Sequence, residues 1–188
     1  MRLPVAGTTI ATLAWAAACG VSPDAPATVD LIAALPTAER RAAGSVDEAV
    51  RTSRVEVAGV AASALLMRAP ARVIWPLRIP PRSAFATSVA IVPATDSQVG
   101  SGVTLRIGVS DDRHYEGLLT LAVKPDRGWQ SVTVDLRRYA GWQWSLFYRP
   151  SEILWKFIVN VDATPGGTIA ARAPAIRPLE GRSSSLPR

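Results

Sequence analysis

From Val55 onward the chain alternates apolar and polar residues with a period of two, the spacing at which successive strand side chains point to opposite faces. Val103, Leu105, Ile107 and Val109 form one apolar row against Thr104, Arg106, Gly108 and Ser110. Val132, Val134 and Leu136 form a second, opposed to Trp129, Ser131, Thr133 and Asp135, and Ile153, Trp155, Phe157, Val159 and Val161 form a third opposite Lys156, Asn160 and Asp162. Further strands are expected at 54–58, 62–68, 71–79, 84–92, 116–124, 143–149 and 168–176. Breakers separate them at short intervals: Pro80-Pro81, Pro93 to Gly102, Ser110 to Gly117, Pro125 to Gly128, Arg149-Pro150 and Thr164 to Gly167. Short strands between regular turn signals predict an all-β, antiparallel β-sandwich or barrel rather than alternating strands and helices. Pro76, inside one expected strand, places that strand at an edge or at a bulge.

Before residue 54 the pattern differs. Residues 20–53 are rich in Ala, Pro, Ser and charge; Val29 to Leu35 is helix-like and should stop at Pro36, and residues 38–51 form a second helix-like stretch. With few aromatics to pack, this reads as a partly helical tether, whose Val29, Leu31, Ile32 and Leu35 are able to dock on the core. The expected organisation is a signal peptide at 1–18, the tether at 19–53, the β-sandwich at 54–178 and a disordered tail at 179–188.

The amino terminus carries the targeting information. Arg2 precedes an uncharged run from Val5 to Ala18, shorter than the ~20 residues that span a bilayer and within the length of a signal-peptide apolar region. The single cysteine, Cys19, follows Ala16-Ala17-Ala18, a sequence that resembles the lipobox of bacterial lipoproteins; the leucine usual three residues before the cysteine is replaced here by Ala16. One cysteine cannot form an intramolecular disulfide. The resemblance implies that Cys19 is diacylated and becomes the mature N-terminus, anchoring the protein in the cell envelope, since two acyl chains anchor where one does not. Gly20, in place of the aspartate that retains such proteins at the inner membrane, implies the outer membrane in a Gram-negative cell. The other reading of Cys19 is an incidental cysteine beside an ordinary cleavage site.

Trp129-Gln-Ser-Val-Thr-Val-Asp-Leu-Arg-Arg-Tyr-Ala-Gly141 resembles a galactose-binding-like jelly roll. More narrowly, it is similar to the β-sandwich module behind the lipobox or membrane anchor in bacterial sulfatase and alkaline-phosphatase superfamily proteins, as is Val29-Asp-Leu-Ile-Ala-Ala-Leu-Pro36. The likeness covers roughly residues 54 to 178. No sulfatase-type hydrolase domain lies within the 188 residues, so the resemblance implies a fold and a binding role, not catalysis.

The net charge of +6 and the pI near 10.4 raise the question of nucleic acid. The positive charge is almost all arginine and is spread from Arg40 to Arg188, with only Arg40-Arg41 and Arg137-Arg138 adjacent, whereas a phosphate-binding surface clusters its basic residues. No nucleic-acid partner is expected; a dispersed basic surface gives weak, salt-screened attraction to anionic headgroups or acidic polysaccharide.

Candidate chemistry is sparse. Ser110 to Glu116 places three carboxylates and the single histidine, His114, between two strands, but it lacks the pattern of a calcium loop and offers one nitrogen for zinc. It reads as a solvated turn, with Arg113, His114 and Tyr115 as its ligand candidates. No phosphate loop, dinucleotide turn, cysteine pair or strained nucleophile turn is present, so no cofactor, metal or enzymatic activity is expected. Trp142, Trp144 and Tyr148, just after the Gly141 turn, are either core or ligand-stacking aromatics. Together with Arg113, His114 and Tyr115 they make a candidate carbohydrate site on loops of a rigid sandwich. The resulting expectation is a membrane-anchored, non-catalytic binding module of the bacterial envelope that recognises carbohydrate or an enzyme partner; the alternative is a structural or assembly envelope lipoprotein with no small-molecule ligand.

Overall fold

A computed structural model describes residues 28–92, 102–140, 154–163 and 167–179. Within them the chain forms β1 (Val29–Asp30), β2 (Glu39–Ala42), a single helical turn α1 (Val46–Ala49), β3 (Val50–Val57), β4 (Val60–Arg68), β5 (Ala71–Leu77), β6 (Ser83–Val92), β7 (Val103–Ser110), β8 (Tyr115–Val123), β9 (Gln130–Asp135), β10 (Trp155–Ala163) and β11 (Thr168–Pro178). The strands make two antiparallel sheets. The first runs β3-β4-β11-β6-β9 with β1 added to β11, and the second runs β2-β5-β10-β7-β8. This is the all-β antiparallel sandwich expected from the alternation; the strand expected at 143–149 lies outside the described residues.

The three apolar rows face inward. Val103, Leu105, Ile107, Val109, Phe157, Val161, Val132, Val134 and Leu136 are all buried. Phe157 joins the layers, its ring centroid 4.9 Å from that of Phe85 on the first sheet and 6.3 Å from that of Trp75 beside it on the second. Turn chemistry agrees with the strand twist: Ala58 and Gly59 both take positive φ (50° and 77°) in the two-residue turn joining β3 to β4, the geometry that matches right-handed strand twist. Pro76 pairs with Lys156 on β10, while β2 on its other side reaches only to Ile74, so the proline sits on a locally exposed edge where its missing N–H is no loss.

The tether expected at 19–53 needs correction over its described part. From Val29 the chain belongs to the sandwich: β1 pairs with Ala175 and Ile176 of β11, β2 edges the second sheet against β5, and β3 begins at Val50, ahead of the expected boundary at 54. The helix-like stretch at Val29 to Leu35 is instead a short strand, a turn and a 3-10 helix at Leu35–Thr37, and only Val46–Ala49 of residues 38–51 is helical. The physical reason is that both sheets have backbone groups to pair there and the core has room for Leu31 and Val50, which are fully buried. The Trp75 indole N–H donates to the Leu31 carbonyl at 3.1 Å and fixes the segment to the core.

Trp129 explains a second feature. Its indole lies against the outer face of the first sheet, packed on Ala64, Leu66 and Ala170, with its N–H donating to the Val60 carbonyl at 3.4 Å and the Arg172 guanidinium 5.4 Å from the ring centre. Alanines at 64 and 170 leave the depth that a bicyclic side chain needs to lie flat on a pleated face.

Candidate functional site

The Ser110–Glu116 segment is the β7–β8 hairpin. The Asp111 carboxylate accepts the backbone N–H groups of Arg113 (2.9 Å) and His114 (2.7 Å), and those two bonds, with His114 the larger influence, hold its pKa below the usual carboxylate value. Asp112 is taken by Lys156 in an ion pair. With Asp111 spent on its own turn and Asp112 on a lysine, the carboxylates do not converge on a metal, and no group of metal-ligating side chains occurs among the described residues. Arg113 and His114 stand exposed at the tip.

Tyr115 behaves differently. It pairs with Ser110, but its ring reaches along the outer face of the second sheet to the position where Gly108 of β7 pairs with Gly117 of β8. A Cβ on Gly108 would stand 2.5 Å from the tyrosine hydroxyl and 2.6 Å from ring atom Cε2; one on Gly117 would stand 3.8 Å from Cε1. The ring therefore lies across a pair of glycines whose missing side chains make its seat, and the residue is still 53% exposed. A register irregularity between Ile107 and Gly108 brings the two glycines opposite each other.

Behind this ring, β8 turns its other side to a cleft of about 510 Å³ between the edge strands β8 and β9, lined by Gly117, Leu119, Thr133, Asp135, Arg137 and Arg138. Every charge there is matched. Asp135 accepts from the Arg137 side chain at 2.8 and 3.0 Å and from its backbone N–H at 2.9 Å, which lowers the carboxyl pKa. Arg138 pairs with Glu116, tying the 3-10 turn Arg137–Tyr139 to the hairpin, and its Nε also donates to the Tyr139 hydroxyl at 2.6 Å. Tyr139 is buried, edge-on to Trp155 at 5.3 Å; burial first, then Glu116, pushes its hydroxyl pKa up to about 12, with Arg138 opposing. It is a neutral structural group at any ordinary pH.

Of the candidate residues, Tyr115 lies on the outer face of the β7–β8 hairpin and Arg113 and His114 at its tip, while Gly117 of the same strand also lines the cleft of paired charges. Trp142, Trp144 and Tyr148 lie outside the described residues, as does Cys19. Asp135, Arg137 and Arg138 were legible only as an adjacent arginine pair; the aspartate two residues before Arg137 was the signal that one arginine is held locally.

Solved structures share this architecture. TmCBM61 in complex with β-1,4-galactotriose superposes with a TM-score of 0.50 at 9% identity, over 80% of this chain and 94% of that one. The CBM51-2 and INT domains of ZmpB from Clostridium perfringens give a TM-score of 0.50 at 14% identity, over 85% of this chain and 33% of that one. Both neighbours are carbohydrate-binding modules with a β-sandwich, and at such identities what this chain has in common with them is the fold. No protein-family model matches the sequence, and no curated protein matches it.

Proposed function

We propose that this protein is a non-catalytic glycan-binding module, held in the bacterial envelope by lipid on Cys19 and akin to the modules that accompany anchored sulfatase-superfamily enzymes. The observation that carries the binding reading is the Tyr115 ring, exposed on the outer face of the second sheet and seated on two glycines. An aromatic face takes the apolar side of a sugar ring, and a pre-seated ring loses little entropy on binding. Sugar hydroxyls both donate and accept, and the Asp135–Arg137 and Glu116–Arg138 pairs present donors and acceptors side by side. Because those charges cancel within each pair, the site suits a neutral saccharide. One stacked ring and a few hydrogen bonds give a dissociation constant on the order of 1 mM.

The test is titration of β-1,4-galactotriose, then a wider array of neutral glycans, into the full chain. Tyr115→Ala should weaken binding about tenfold or more, and Tyr115→Phe should retain most of it, since the ring and not the hydroxyl does the stacking. Binding that survives Tyr115→Ala unchanged removes the ring from the site, and no binding to any neutral glycan favours the structural envelope lipoprotein. The anchor is tested separately: Cys19→Ala should move the protein from the detergent phase to the aqueous phase, and equal partitioning of variant and parent would overturn lipidation.

A further inference from the structure

The outer face of the first sheet carries a second groove, of about 260 Å³, lined by Ser88, Ser131, Thr133, Arg172 and Arg177 with Ala86 at its floor. Its layout follows from the register. Arg172, Ser88 and Ser131 form one cross-strand row over β11, β6 and β9; Ala175, Ala86 and Thr133 form the next; Arg177, Ala84 and Asp135 form the one after. The middle row is low because two of its three residues are alanine, which leaves a trough between the arginines. The two arginine rows are four residues apart on β6, or about 13 Å. The pairing of β11 with β6 shifts between Arg172 and Ala175, with Ala173 at a φ of 46°, and this irregularity puts both arginines on one face although they are five positions apart.

The charge balance differs from that of the β8–β9 cleft. Among the described residues neither Arg172 nor Arg177 meets a carboxylate: Arg172 contacts the Trp129 ring, and Asp135, the acid of the Arg177 row, is held by Arg137. The hydroxyls of Ser88, Ser131 and Thr133 make no hydrogen bond to a described residue. Two arginines without a carboxylate partner among the described residues line one groove with three unengaged hydroxyls, a set suited to an oxyanion: the arginines supply charge-assisted forks and the hydroxyls supply further donors. A trough open along the sheet suits such a group carried on a chain. We infer that this face is a second binding site, sharing only the edge of β9 at Thr133 with the β8–β9 cleft, for an acidic saccharide whose carboxylate or sulfate it engages through Arg172 and Arg177.

The experiment titrates the full chain with sodium polygalacturonate, neutral β-1,4-galactan and sodium sulfate at matched ionic strength. Polygalacturonate should bind, and Arg177→Gln should weaken it about tenfold. Arg177→Lys, which keeps the charge but not the fork, should fall between the two. Ser131→Ala, at a residue outside the β8–β9 cleft, offers a second, charge-neutral variant and should weaken binding severalfold. Arg106→Gln, on the opposite sheet and paired with Asp162, should change it by less than about twofold. Unchanged binding by Arg177→Gln overturns the proposal, as does an equal loss from Arg106→Gln, which would mean diffuse attraction. Sulfate binding as tight as that of polygalacturonate overturns the saccharide and leaves a site for the free ion.

Discussion

A chain beginning at Arg54 should lose its cooperative melt, while one beginning at Thr28 should unfold in a single transition. The shorter chain lacks β1, β2, α1 and the first four residues of β3. It thereby loses the fully buried side chains of Leu31 and Val50, each contributing about 1.5–3 kcal/mol by burial, and leaves voids between the layers. The Trp75 indole N–H, now donating to the Leu31 carbonyl, is left unpaired in the core at about 1–3 kcal/mol. β5 loses β2 and becomes a bare edge, where Arg72 and Ile74 offer no strong protection against pairing with another chain. Against a total stability of about 5–15 kcal/mol for a domain, losses of this size remove most of the margin. Thermal melts followed by far-ultraviolet circular dichroism decide it. A sharp transition from the Arg54 chain within a few degrees of the longer one would show that the early strands are accessory.

The same segment shows where the sequence is hard to read. β7, β9 and β10 are long enough for their alternation to be counted, and each is central to, or flanks, the core. β2 reads Glu-Arg-Arg-Ala, with no apolar alternation at all; it is a strand because β5 offers it backbone partners, and Arg40 lies on its inward side by sending its guanidinium to the Val50 carbonyl and Asp47. β1 is two residues long, below any periodicity. The candidate site divides similarly. The polar hairpin at Ser110–Glu116 was visible as composition, and its reading as a turn follows from Asp111 accepting two local N–H groups. The seat of Tyr115 was not visible, because it depends on Gly108 and Gly117 facing each other, and an irregularity in register decides that. Arg172 and Arg177 escaped for the same reason: a period-two reading without the shift after Arg172 puts them on opposite faces. Trp129, the head of the phrase that carries the jelly-roll resemblance, turns out to cover the small residues of an outer face, a packing role that spacing does not reveal.

Phe157→Ala should lower the unfolding free energy by about 3–5 kcal/mol, the largest effect expected of any single substitution in β10. The ring is fully buried, and it meets Phe85 across the sandwich at 4.9 Å and Trp75 on the neighbouring strand at 6.3 Å. Truncation therefore opens a cavity lined by two aromatic rings that cannot relax together, because Trp75 is pinned by its hydrogen bond to Leu31. Its neighbour Lys156 points to the opposite face, where it pairs with Asp112 in solvent, so Lys156→Ala should cost less than about 1 kcal/mol. The pair of substitutions reads the register of the strand directly, since a slip of one residue exchanges inward and outward positions. Urea unfolding measures both: the Phe157→Ala midpoint should fall with an unchanged slope, which assigns the loss to the native core rather than to the denatured chain. Equal costs at the two positions would mean that β10 is threaded one residue out of register, and with it the pairing of Phe157 to Trp75 and Val109 within the second sheet and its contact with Phe85 on the first.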